Sequence, residues 1–193
     1  MTKSILLVGV GGQGTILASK ILTTGLMEAG YDVKMSEIHG MSQRGGSVSS
    51  QVRYGEKVYS PVIEKGAADI VVAFEKMEAL RSLDHLKEGG TLVVNNEEIP
   101  SQSVVIGDEE YPTDVLEEIQ KHVKDMKVVD ATGMARELGN EKAANMVLLG
   151  TIIHAMDLED IHWDAILEDN IKPKFLELNK KAIQMGMGAV AKG

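Results

Sequence analysis

Cysteine is absent from all 193 residues. The chain therefore forms no disulfide, offers no thiol nucleophile and cannot hold an iron–sulfur cluster through thiolates. If its reaction moves electrons through such clusters, another polypeptide carries them. Aromatic residues make up only 4 %, with 1 Trp and 2 Phe. The core must then be aliphatic, filled out by some of the 11 Met. Lys and Arg number 20 against 29 Asp and Glu, a net charge of −9 with no basic patch. Nucleic acid is excluded as the main partner. No apolar run reaches the roughly 18–20 residues needed to span a bilayer. The first residues enter a strand with no signal-peptide layout, so the expected compartment is the cytoplasm and no membrane partner is expected.

What remains is an ordinary globular composition, 44 % hydrophobic and 25 % charged, in a length that suits one domain over 1–193. Apolar patterning predicts a strand at Ser4–Val8, a helix over Thr15–Ala29 and a strand at Asp32–Glu37. Ile16, Leu17, Ile21, Leu22 and Leu26 form the helix's apolar stripe. This β-α-β unit implies a parallel sheet. Ser47–Tyr54 and Lys57–Ser60 read as a hairpin around Gly55-Glu56, an insertion after strand two. Alternation resumes with strands at Ala68–Phe74, Thr91–Asn95 (after a Gly89-Gly90 turn), Val104–Ile106 and Lys127–Asp130. Helices are predicted at Lys76–Leu83, Thr113–Lys124 and Ala131–Leu138. From Asn140 onward the pattern is all-helical, over Glu141–Met156, His162–Asn170 and Lys174–Met185, with Pro173 at a helix start and a frayed tail from Gly186. The expectation is an α/β, Rossmann-like three-layer fold: a mostly parallel sheet, a hairpin insertion after strand two and a helical C-terminal part.

The segment Ser4–Gly14 carries the strongest signal. A short apolar strand runs into Gly9, Gly11 and Gly14, the G-x-G-x-x-G spacing, and a helix follows. Such a turn aims backbone N–H groups and a helix's positive end at one spot, which suits an anion such as a phosphate. The bland alternative is a tight turn that only packs helix on strand. A dinucleotide site also asks for an acidic residue ending strand two, where Glu37 stands. Glu37 leads, however, into His39-Gly40-Met41-Ser42-Gln43-Arg44-Gly45-Gly46, a glycine-rich loop that no dinucleotide rule anticipates. Arg44 could pair bidentately with a phosphate or carboxylate, beside Ser42, Gln43 and Gly45, and the loop should share the sheet's carboxyl edge with the glycine turn. The alternative is a solvated loop.

Asn140 fits a helix N-cap. Asn145, a poor helix former placed in a helix's first turns, is expected to point at a specific partner. His39 lacks a paired carboxylate that would make it an acid–base group. Asn95-Asn96 lies too close to Gly89-Gly90, and the G-D-G element is missing, for a thiamine diphosphate signature. There is no nucleophile–base pair, zinc spacing or P-loop. The chain reads as the wall of a pocket rather than a complete enzyme.

Three stretches, G-V-G-G-Q-G at Gly9–Gly14, M-S-Q-R-G-G at Met41–Gly46 and A-N-M-V-L-L-G at Ala144–Gly150, together resemble the gamma-domain family of the 2-oxoacid:ferredoxin oxidoreductases. The likeness covers nearly the whole chain and is greatest to the small (beta) subunit of the indolepyruvate branch. It implies a subunit of an enzyme that decarboxylates a 2-oxoacid on thiamine diphosphate, sends two electrons through iron–sulfur clusters to ferredoxin and releases an acyl-CoA. Thiamine diphosphate and the clusters then belong to a large partner subunit, and ferredoxin is met through the complex. Aromatic 2-oxoacids are the favoured substrates. Gamma subunits acting on pyruvate, 2-oxoglutarate or branched-chain 2-oxoacids share the pattern. The positions that carry over are Gly11, Gly12, Gln13 and Gly14 in one loop and Ser42, Gln43, Arg44 and Gly45 in the other. With Asn145 nearby, they would either hold an anionic part of coenzyme A or stabilise the subunit contact. A self-sufficient NAD(P)-dependent dehydrogenase, with Glu37 on the ribose, and a non-catalytic Rossmann-like binding module are the competing readings.

Overall fold

A computed structural model describes residues 1–40 and 46–191. In chain order it contains β1 (Lys3–Val10), α1 (Thr15–Glu28), β2 (Asp32–His39), β3 (Ser47–Gly55), β4 (Ala68–Ala73), α2 (Lys76–Arg81), β5 (Leu86–Asn95) and α3 (Gln102–Ile106). It continues with α4 (Val115–His122), β6 (Met126–Val129), α5 (Ala131–Glu137), α6 (Ala144–Ala155), α7 (Trp163–Asn170) and α8 (Pro173–Val190). The strands form one sheet of order β2-β3-β1-β4-β5-β6. β1, β4, β5 and β6 pair in parallel, whereas β3 runs antiparallel to both β1 and β2.

Two apolar clusters cover the two faces. Ile5, Leu7, Val52, Ile70, Val72 and Val93 point to the side packed by α1, α5, α6, α7 and α8. Leu6, Val8, Val71, Ala73, Leu92 and Val94 point to the side packed by α2 and α4. Strand residues alternate between faces, so the near-continuous apolar runs of β1, β4 and β5 are what a sheet buried on both faces requires. The three-layer, mostly parallel α/β architecture with a helical C-terminal part is as the patterning predicts.

Several local expectations are corrected. Lys57–Ser60 is not a strand; the hairpin is β2–β3, with His39 opposite Val48 and Asp32 opposite Gly55. β1 and β2 consequently are not neighbours, because β3 lies between them. Gly89-Gly90 lies inside β5, at a register irregularity between Ala68 and Ile70, rather than before the strand. The Val104–Ile106 segment is helical. Ser101 caps it by accepting from Val104 N–H, and Gly107 ends it at φ 86°, so these end signals override the β-branched run. The tail does not fray at Gly186, since α8 continues to Val190. Within α1, Ala18, Ile21, Leu22 and Leu26 are buried, but Ile16 and Leu17 of the predicted stripe are exposed beside the glycine turn.

Candidate functional site

The chain leaves β1 for α1 on one face of the sheet and β4 for α2 on the other. Adjacent strands whose crossovers diverge leave a crevice at their carboxyl ends, where open α/β sheets bind ligands. The glycine turn closes that crevice at β1, and Phe74 and Glu75 close it at β4. A cleft of about 530 Å³ opens on the α6 side, walled by Gly12, Gln13, Gly14, Leu17, Phe74, Asn95, Glu97, Thr132, Lys142 and Asn145, among others.

The glycines divide the work. Gly12 and Gly14 take φ of 99° and 82°, a left-handed backbone that favours glycine. A Cβ on Gly14 would also reach within 2.5 Å of Asn145 Nδ2. A Cβ on Gly9 would press on Phe74 and Thr15. Gly12 faces open space, so its conformation rather than crowding demands glycine. Gly14 is the N-cap of α1, a helix with no acidic residue in its first turn and, among the described residues, no side-chain cap. Its first-turn backbone N–H groups therefore carry an uncompensated positive end of the helix dipole.

Gln13 and Asn145 turn inward. Gln13 Oε1 accepts from Val10 N–H at 2.8 Å, and its Nε2 donates to the Phe74 carbonyl at 2.8 Å. This side chain braces the turn against β4, and contact with a ligand through the amide would compete with those bonds. Asn145 Nδ2 donates to the Gly14 carbonyl at 3.3 Å, so its specific partner is the glycine turn itself. Asn140 caps its turn by accepting from Lys142 N–H at 3.1 Å.

Ser42, Gln43, Arg44 and Gly45 lie outside the described residues. Their flanks meet the glycine turn: Gly11 N–H donates to the Gly46 carbonyl at 3.0 Å, and Gly40 N–H donates to the Ser47 carbonyl at 2.8 Å. Ser47 Oγ donates to the buried Glu78 carboxylate at 2.8 Å, which also receives Arg81 at 2.6 Å. Gly46 thus adjoins Gly11 of the glycine turn at one sheet edge.

Glu37 is not positioned for a ribose on the glycine turn. It pairs with Ser50 on the far side of β3, two strand spacings from β1, or about 9.5 Å. The structural signature of a nicotinamide site is missing at that position.

Sequence reasoning missed the wall opposite the turn, formed by Asn95, Glu97, Thr132 and Lys142. The available signal was positional, since Asn95 ends β5 and Thr132 lies three residues past the end of β6, both at the carboxyl edge. Glu75, 1 % exposed, caps α2 by accepting from Glu78 N–H at 3.0 Å and also receives the Tyr111 hydroxyl. Burial, reinforced by that carboxylate, pushes the Tyr111 phenol well above its ordinary range, so it stays protonated at neutral pH. Among the described residues no group of three metal-ligating side chains converges, and no helix is long and apolar enough to cross a membrane.

A family model described as pyruvate ferredoxin/flavodoxin oxidoreductase matches residues 4–189. The indolepyruvate oxidoreductase subunit IorB of Thermococcus kodakarensis is 37 % identical, over 96 % of this chain and 95 % of that protein. The Archaeoglobus fulgidus subunit IorB is 35 % identical, over 100 % and 98 %. In three dimensions the chain superposes on the keto/oxoacid ferredoxin oxidoreductase gamma subunit of Geobacter sulfurreducens with a TM-score of 0.72, at 23 % identity and 99 % coverage of both chains. All of it also superposes on 31 % of the longer chain of the Magnetococcus marinus 2-oxoglutarate:ferredoxin oxidoreductase, solved with 2-oxoglutarate, coenzyme A and succinyl-CoA, at a TM-score of 0.76 and 18 % identity.

Proposed function

Because the chain belongs to the pyruvate ferredoxin/flavodoxin oxidoreductase family, we propose that it works as the small subunit of a 2-oxoacid:ferredoxin oxidoreductase of the aryl-pyruvate type. The reaction would convert an aryl pyruvate, coenzyme A and oxidised ferredoxin into an aryl-acetyl-CoA, carbon dioxide and reduced ferredoxin. The observation that carries this reading is the full-length likeness to IorB subunits. The 2-oxoglutarate synthase subunit KorC of Methanothermobacter marburgensis, 30 % identical over the whole chain, marks an alternative in substrate class.

The residues present fit a division of labour. Without cysteine the chain has no thiolates for a cluster, and it carries no thiamine signature. Thiamine diphosphate and iron–sulfur clusters are therefore assigned to the large subunit. This chain's part is to complete the cavity. The backbone donors of Gly12, Gly14 and the first turn of α1 suit an anionic portion of coenzyme A at the turn itself, while the rest of the cleft carries Lys142 together with Glu97 and Glu141. The exposed Ile16 and Leu17 next to the turn suit contact with the large subunit.

The test is co-purification with the large subunit and assay of coenzyme A-dependent ferredoxin reduction by indolepyruvate, phenylpyruvate, pyruvate and 2-oxoglutarate. The complex should prefer the aryl substrates, and the chain alone should turn over nothing. Activity of the isolated chain with a 2-oxoacid or a nicotinamide would overturn the reading.

A further inference from the structure

Asn95 belongs to no thiamine signature, yet it occupies the centre of the cleft's support. It is 1 % exposed, at the carboxyl end of β5. Its Nδ2 donates to the Phe74 carbonyl at 3.1 Å and to Thr132 Oγ1 at 3.2 Å, while its Oδ1 accepts from Ala131 N–H at 3.0 Å. The Phe74 carbonyl is the same one that receives Gln13 Nε2 at 2.8 Å. Thr132, its oxygen already accepting from Asn95, donates its hydroxyl proton to the Glu97 carboxylate. The direction of this chain of bonds is set by chemistry. A backbone carbonyl only accepts, so the Asn95 amide donates one proton to Phe74 and the other to Thr132, whose own hydroxyl proton is then free for Glu97.

We propose that Asn95 is a positioning residue for the cleft. Through the Phe74 carbonyl and Gln13 it steadies the glycine turn. Through Thr132 it steadies Glu97 on the facing wall, so one buried amide sets the separation of the two walls. The role rests on the reading of this cleft as the coenzyme A-contacting face. A leucine would fill the same volume and leave the Phe74 carbonyl, the Ala131 N–H and the Thr132 hydroxyl each short of a partner. An aspartate would keep the shape and lose both donors.

The experiment uses the two-subunit complex carrying Asn95→Asp, Thr132→Val or Thr132→Ser. Amide hydrogen exchange is followed over residues 9–17 and 94–99, and KM for coenzyme A is measured against kcat. Asn95→Asp is expected to speed exchange in both segments and to raise KM for coenzyme A about ten-fold, the size of one buried hydrogen bond, with a smaller change in kcat. Thr132→Val should speed exchange only over 94–99 and raise KM less, and Thr132→Ser should restore both. If Asn95→Asp does not assemble, the valine–serine pair decides alone, since a packing role would be served equally by valine. Unchanged exchange in Thr132→Val and in any assembled Asn95→Asp complex overturns the proposal. Faster exchange with an unmoved KM supports the brace and instead overturns the coenzyme A reading of the cleft.

Discussion

Gly14 shows how little room a functional turn leaves. Its left-handed backbone and its closeness to Asn145 act together. Gly14→Ala is expected to cost about 1–3 kcal/mol in chemical denaturation and to impair coenzyme A-dependent turnover of the complex. Ser50 presents the opposite situation: its hydroxyl is fully buried with no hydrogen-bond partner among the described residues. Ser50→Ala removes an unsatisfied polar group, so thermal denaturation should show unchanged or slightly higher stability. Asp69 lies at the other end of the sheet. Burial alone would raise its carboxyl, but hydrogen bonds from Lys87 and from Ser4 N–H, with the nearby charges of Lys87 and Lys3, outweigh it and hold the group below its ordinary value. A folded pKa below the unfolded one means that this stabilisation is complete above the ordinary carboxylate range. It is lost as pH falls through the folded value. Asp69→Asn should therefore destabilise the protein by about 1–3 kcal/mol at pH 7, and denaturation series at pH 7 and pH 3 should show the gap narrowing at the acid end.

At the scale of elements, the close seam between α6 and α8 depends on two glycines. A Cβ on Gly186 would strike the Val147 carbonyl, and one on Gly150 would strike the Ile183 carbonyl. Gly186→Ala should then cost about 1–3 kcal/mol despite alanine's better helix propensity, and urea unfolding midpoints would report it. Tail glycines look like fraying signals in a linear reading because the facing helix, some 35 residues earlier in the chain, is invisible there. The strand order was partly legible. β2 reads D-V-K-M-S-E-I-H, mixed in polarity, where β1 and β4 are nearly all apolar. Mixed polarity is the mark of an edge strand, and β2 is one of the two edges. The partner that displaced it from β1 was not legible, because pairing is a long-range choice that local pattern does not encode. Among the cleft's residues, Gly14 was singled out by the glycine spacing, Gly12 by the family resemblance, Asn145 by helix rules and Gln13 by its place at the helix entrance. Asn95 and Glu97, at and just beyond the end of β5, and Thr132 beyond β6 come from two segments and meet only when β5 and β6 lie side by side.

For the whole molecule, the open question of assembly has a local handle. Ile16 is 45 % exposed in the first turn of α1 and does not line the cleft beside the glycine turn. Ile16→Gln should leave the melting temperature of the chain nearly unchanged and weaken its affinity for the large subunit about ten-fold, measurable by calorimetric titration. An unchanged affinity would move the subunit contact away from this turn. The amino-acid sequence alone determined what the chain cannot supply: without cysteine it holds no iron–sulfur cluster through thiolates. It also determined the glycine turn at the head of α1, because glycine spacing and helix start signals are local properties. Only the tertiary structure decided that β3 separates Glu37 from the glycine turn, that Gln13 faces inward, and that a second wall closes the cleft. Each of those depends on which strands become neighbours, and that is settled by burying both faces of the sheet at once.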